Sequence, residues 1–319
     1  MKMSACMFAA LLGSTNVLAQ GYPSKPLRLI VPFPVGTAPD IIGRVVAQGM
    51  GAGLGQPVLV ENRPSAGGIL GTAAAAAALP DGYTLHLATT GSLAIGPARF
   101  PNAGFDPVRS FAPISQISTA AVVLAVAASV PVASARELVD YSLARPGKLN
   151  YGSPGNGTIP HILMEMFKSL TGADLVHVAY KSPADVNVAM DSGDVVAMME
   201  TPATATPRQR AGKIKVLAVT GTIRHADHPN VPTMTESGVS RFDASVWYGL
   251  VAPRGTPDAI VARLNAEVQR MLRVEDVRER LAQLGNDAAA STPEAFAIFI
   301  AEQVETWRRA IRTLGTRVE

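Results

Sequence analysis

The chain alternates short apolar runs, Gly/Pro-rich loops and longer segments of helical period. Leu27–Val31, entered from Pro26, reads as a strand, Pro32–Asp40 as a loop, and the stretch from Ile41 to Met50 as a helix. A second strand is predicted from Pro57 to Val60, running into Glu61-Asn62-Arg63-Pro64 and a turn at Ser65–Gly68. The alanine run from Ala73 to Ala78 favours helix, Pro80-Asp81-Gly82 breaks it, and a third strand is predicted from Tyr83 to Ala88. Strand–helix–strand alternation of this kind predicts a mostly parallel sheet with helices on both faces.

A second series of the same grammar begins near Val122. Strands are predicted at 122–127, 148–151, 175–179, 195–199 and 214–219, with helices at 134–143, 159–170 and 183–191. In the 159–170 helix, Ile162, Leu163, Met166, Phe167 and Leu170 share one face. The C-terminal part is helical: 258–272, 277–284 and a last helix opened by Thr292-Pro293-Glu294. There Phe296, Phe299, Ile300, Val304, Trp307, Ile311 and Leu314 form a stripe suited to core packing. These helices are expected to return to the first series. No repeat of fixed period is present.

Length supports the division, since 319 residues exceed what one core usually holds. The expected fold is α/β and two-lobed, with residues 20–121 plus 243–319 in lobe 1 and residues 122–242 in lobe 2. Hydrophobic residues make up 48% and charged residues 17%, against disorder. The net charge of +3, without clustered Lys/Arg and aromatics, argues against nucleic-acid binding.

The N-terminus reads as a signal peptide over residues 1–19. Lys2 opens it, an apolar run from Ala5 to Leu12 follows, and Val17-Leu18-Ala19 fits a small-x-small cleavage site before Gln20. The apolar run is short for a membrane span, so the mature chain is expected in the periplasm. The sole cysteine, Cys6, lies inside this segment, which removes disulfides, thiol catalysis and cysteine-held metals from the mature chain. His225 and His228 lack a third metal ligand in sequence, and no metal or cofactor is expected.

Catalytic motifs are missing too. Gly152-Ser153-Pro154-Gly155 lacks the spacing of a nucleophile elbow, and no Gly-Lys-Ser/Thr phosphate loop occurs. What the chain does have is one design used twice: a strand, a Gly/Pro-rich loop, then a helix. The loops are Pro32–Asp40, with Phe33, Val35, Gly36, Thr37, Ala38 and Asp40 as candidate contacts, and 153–158, with Ser153, Gly155, Asn156, Gly157 and Thr158. Helix starts present unpaired N–H groups and partial positive charge, and in open α/β sheets they sit where ligands bind. Two facing one another could hold a carboxylate without any Lys or Arg.

Tyr22-Pro23-Ser24-Lys25-Pro26-Leu27-Arg28-Leu29-Ile30-Val31-Pro32-Phe33-Pro34, Gly55–Pro64, Pro80–Leu85, His177–Lys181, Gly212–Thr220 and Trp247–Pro257 together carry a family likeness. The chain resembles the Bug-type receptors, the extracytoplasmic substrate-binding proteins of tripartite tricarboxylate transporters. The resemblance implies a Venus-flytrap fold that captures a small organic carboxylate for integral membrane permease subunits, with the ligand held by main-chain groups and bridging water. It also places Ser65 and Ala66, after Arg63-Pro64, and Thr90, in the turn Thr89-Thr90-Gly91, on the first lobe's side of the ligand. Glu200 and Thr201 match a position on the second lobe's side.

Asp40 could meet the ligand or cap its helix; Glu200 could receive a cationic ligand group or be a surface carboxylate; His161 could reach the ligand or pack locally. Relatives usually read Pro-Phe-Pro-Pro-Gly-Gly in the first loop, where this chain has Val35 and Thr37. Thr37 in a glycine's place would be strained at positive φ. Ser65 and Ser182 also stand where glycine is usual. A monomer is expected. A ligand-sensing component with a sensor partner, and an exported hydrolase or isomerase, are the alternative functions.

Overall fold

The structure, a computed structural model, describes residues 21–221, 223–240, 242 and 246–314; the predicted signal segment lies outside them. The first sheet contains β1 (Leu27–Val31), β2 (Val58–Asn62), β3 (Thr84–Thr89), β4 (Phe111–Ala120), β10 (Val246–Pro253) and β11 (Asp287–Ala288), in the order β11-β4-β10-β3-β1-β2. The second contains β5 (Val123–Ala127), β6 (Asn150–Ser153), β7 (Val176–Ala179), β8 (Ala197–Glu200) and β9 (Ile214–Val219), in the order β7-β6-β8-β5-β9. The helices are α1 (Ala38–Leu54), α2 (Ile69–Ala76), α3 (Gly96–Arg99), α4 (Ala135–Leu143), α5 (Ile159–Thr171), α6 (Pro183–Ser192), α7 (Pro202–Arg210), α8 (Asp258–Met271), α9 (Glu275–Gln283) and α10 (Pro293–Leu314).

Two lobes are present, but their sheets are mixed rather than mostly parallel. β1 pairs parallel with β2 and β3, and β6 parallel with β7 and β8. β10 runs antiparallel between β3 and β4, and β5 antiparallel between β8 and β9. The physical reason is the crossing between lobes. Only Ala121 and Val122 separate β4 from β5, so the chain enters the second sheet along the seam; β10 brings it back. Strands delivered by these crossings need no βαβ connection and are free to run antiparallel.

The central strands are continuous apolar runs because both faces are covered: all five residues of β5 are buried. Helix ends follow local chemistry. Ser134 and Ser182 accept the N–H of Glu137 and Asp185 to start α4 and α6. Gly55 and Gly172 close α1 and α5 in the left-handed region, at φ 69° and 78°.

One face of the first sheet packs under α1, α8 and α9 through Ile42, Val46, Met50, Leu264, Val268 and Leu281. The other face shares a single apolar cluster with the second lobe. α10 explains this continuity. It packs on β4 and on α3 in lobe 1, and on α5 in lobe 2, burying Phe296, Ile300, Val304 and Trp307. α8 and α9 thus pack with α1 on the first sheet, whereas α10 touches elements of both lobes. Among the described residues no helix is long and apolar enough to cross a membrane.

Candidate functional site

The two loops share more than a strand–loop–helix order. Each carries Gly-Thr-x-Pro at its helix start: Gly36-Thr37-Ala38-Pro39 before α1 and Gly157-Thr158-Ile159-Pro160 before α5. Both glycines take positive φ, 81° and 72°. Both threonines are extended N-caps whose hydroxyls turn back, Thr37 Oγ1 donating to Pro34 O at 2.7 Å and Thr158 Oγ1 to Gly155 O at 2.8 Å. Thr37 sits at φ −79°, so the strain expected there is absent; Gly36 takes the left-handed turn instead.

Each glycine N–H also closes onto a side chain four residues later. Gly36 donates to Asp40 Oδ2 and Gly157 to His161 Nδ1, both at 2.9 Å. Asp40 is 2% exposed and takes further bonds from Arg44 Nε at 3.1 Å and Asn62 Nδ2 at 2.9 Å. Burial alone would raise its pKa, but the bonds from Arg44, Gly36 and Asn62 and the Arg44 charge hold it below the usual carboxylate range. Asp40 therefore acts as a clamp of its own loop.

Behind the second loop lies a buried stack absent from the first. His161 and His177 stack with ring centroids 4.0 Å apart, and His177 lies 4.8 Å from Tyr151. Ser153 Oγ meets His177 Nε2 at 2.7 Å and also contacts Gly155 O and N. Tyr151 Oη donates to Glu165 Oε1 at 2.7 Å, and Lys168 Nζ pairs with the same oxygen at 2.5 Å. Burial lowers His161, with Lys168 and Arg99 adding to it against Glu165, and burial together with His161 takes His177 down to about 4. Neutral imidazoles are what the geometry needs, since Nδ1 of His161 must accept.

A cleft of about 430 Å³ opens between the lobes, within the ~300–1,000 Å³ common for small-molecule sites. Lobe 1 contributes Phe33, Pro39, Gly67, Thr89, Thr90, Gly91, Ile95, Gly96 and Arg99; lobe 2 contributes Gly157, Thr158, Ile159 and Pro160; Val246, Trp247 and Tyr248 of β10 complete it. Of the residues expected at the ligand, Phe33, Thr90, Gly157 and Thr158 thus line one space. Thr90 Oγ1 accepts the Trp247 N–H at 2.7 Å, which ties the turn after β3 to β10.

The others stand around it. Gly36, Thr37, Ala38 and Asp40 form the loop and first turn of α1, with Val35 at its exposed tip. Ser65 Oγ accepts Leu70 N–H at the start of α2, and Ala66 opens the short turn 66–68. Ser153 and His161 are buried under the second loop, while Gly155 and Asn156 shape its turn. Glu200 is no surface carboxylate: it is 5% exposed at the end of β8, and Arg208 Nη1 stands 3.9 Å away. Burial pushes its pKa up. Thr201 is the exposed N-cap of α7. Neither lines the cleft.

Two cleft features escaped sequence reading. Trp247 lines it with a buried Nε1–H that has no hydrogen-bond partner among the described residues. Arg99 brings a guanidinium to the lobe seam, where a Cβ on Gly157 would lie 2.5 Å from Nη1. Arg99 follows an irregular helical turn, Thr90–Ile95, that matches no strand–loop–helix pattern.

With this geometry in view, the chain matches the model of the tripartite tricarboxylate transporter family receptor over residues 42–316. It is 33% identical to Protein BugT of Bordetella pertussis over 98% of this chain and 97% of that one. This chain belongs to the tripartite tricarboxylate transporter receptor family. Solved structures of the same fold include a protein of R. palustris with adipate, 30% identical with TM-score 0.73, covering 92% of this chain and 98% of that one. Another is MatC of Rhodopseudomonas palustris with bound malate, 31% identical with TM-score 0.70, covering 91% and 99%. The receptor family comprises periplasmic solute-binding proteins, and the two-lobed fold found here is theirs.

Proposed function

We propose that this receptor is exported, with cleavage after Ala19, and captures a small organic carboxylate between its lobes for integral membrane permease subunits. The observation that carries the reading is the pair of Gly-Thr-x-Pro helix starts, one reaching the cleft through Pro39 and Phe33 and the other through Gly157 and Thr158. Each offers the N–H groups and positive dipole end that favour an anion. Adipate and malate in similar proteins agree with a carboxylate. A ligand touching both lobes favours the closed form, and a permease reading that form would be served by a monomeric receptor.

The reading is of binding without turnover. Ser153 and His177 do make a hydroxyl–imidazole contact, but the Ser153 side chain is fully buried, turned into its own loop, and not part of the cleft lining. A thermal-shift screen of the mature chain against small carboxylic acids, with product analysis, tests both halves. An acid at about 100 times its Kd should add ~2.7 kcal/mol of stability and come back unchanged. No shift with any acid defeats the capture reading; consumption of the acid defeats binding without turnover.

A further inference from the structure

Arg99 is the one residue with a formal charge among the described residues lining the cleft. It sits at the end of α3 in lobe 1, yet its guanidinium lies over Gly157 of lobe 2: an added Cβ there would be 2.5 Å from Nη1 and 2.9 Å from Cζ. Gly157 is thus needed twice, once for φ 72° and once to leave room for this group. The side chain is exposed, and it also borders an outer pocket lined by Ser65, Leu70 and Phe100, so it stands at the cleft mouth.

The chemistry of the remaining wall makes this position consequential. Phe33, Ile95, Ile159 and Pro160 are apolar, and Trp247 is apolar apart from its Nε1–H. A ligand with one carboxylate is served by the loops. Neutral donors such as Thr158 and the Trp247 Nε1–H could also meet a second carboxylate, but Arg99 is the residue that brings a positive charge, and its planar fork matches a carboxylate in two parallel hydrogen bonds. Resting on the carboxylate-capture reading, we propose that Arg99 is a specificity-determining residue that anchors a second carboxylate, so that the receptor prefers diacids to monoacids. Because the guanidinium spans the seam, a diacid held by it also links the lobes in the closed form.

The test titrates wild type, R99K and R99Q with succinate, malate and adipate and with the monoamide of each, at low and high salt, after checking that all three proteins melt cooperatively. The expected result is that wild type prefers at least one diacid over its monoamide by about tenfold or more. R99Q should erase that preference while holding monoamide affinity within about twofold, and R99K should keep part of it. High salt should weaken the wild-type preference, since the group is exposed. Equal losses for diacid and monoamide in R99Q would make Arg99 a mere lobe clasp and overturn the proposal, as would no loss at all. If wild type binds none of these acids or monoamides, this proposal falls while the capture reading is decided by the wider acid screen; if it binds them without a diacid preference, this proposal alone falls.

Discussion

Gly157 donates its N–H to Nδ1 of His161 at 2.9 Å, in the place where the first lobe's loop uses a carboxylate, Asp40, for Gly36. The two loops are alike in backbone and differ in the acceptor that closes them. Asp40 keeps its charge under ordinary conditions, whereas His161 accepts only while neutral. The second loop therefore meets its acid limit at a higher pH than the first.

Acid should loosen the second loop before the first. His161 and His177 lie below the ordinary histidine value of 6.5, His177 at about 4, so the unfolded chain takes up protons first. Their contribution to stability is complete above about 6.5 and is lost as the pH falls toward 4. Buried His86, lowered to about 3, acts in the same direction. Melting temperature measured from pH 7.5 down to 4 should fall below about 6.5, and replacing His161 with glutamine, whose amide oxygen still accepts, should flatten part of the decline. An unchanged melting temperature across that range would contradict this account of the stack.

The two turn glycines should respond differently. Gly36→Ala meets open space and costs mainly left-handed backbone strain, about 1 kcal/mol. Gly157→Ala adds the same strain and also displaces Arg99. Urea unfolding and carboxylate titration should show comparable stability losses, with the larger affinity loss at Gly157.

Asp40→Ala should be more damaging than a surface carboxylate change. It leaves the N–H of Gly36 and the amide of Asn62 without their buried acceptor and takes a partner from Arg44, a loss of about 2–3 kcal/mol in denaturant titration. Asp40→Asn keeps an acceptor oxygen and should cost less.

Much of this could be read from the chain because local signals and tertiary demand agree. β9 falls at Ile214–Val219 as the apolar run predicts, and both loops stand where glycine and proline punctuate the pattern. β4 and β10 were not legible. Phe111–Ala120 contains Pro113 and three serine or threonine residues that look like loop, yet Ser115 and Ser118 are fully buried. Their hydroxyls are satisfied from a distant segment, Ser115 Oγ by Ser291 O and Ser118 Oγ by Asn286 Oδ1. β10 carries Gly249 because the Phe296 ring occupies the space of a side chain there. The same limit hid the histidine stack: His177 comes beside Tyr151 only through the register of β6 and β7, and Arg99 comes to Gly157 only when the lobes face each other.

Gly249→Ala tests that packing. Its Cβ would fall 2.1 Å from Phe296 Cζ, so the Phe296 ring, or α10 with it, must shift away from β10. A loss of about 1–3 kcal/mol is expected by chemical denaturation, with a drop in the near-ultraviolet signal of Trp247, which packs edge-on against Phe296 at 5.8 Å.

The most direct measurement is a crystal structure of the mature receptor with the carboxylic acid that gives the largest thermal shift. The account predicts one carboxylate in the interlobe cleft, within hydrogen-bond or single-water reach of N–H groups from both Phe33–Asp40 and Ser153–His161. A carboxylate held outside that cleft, or by one lobe alone, would contradict it.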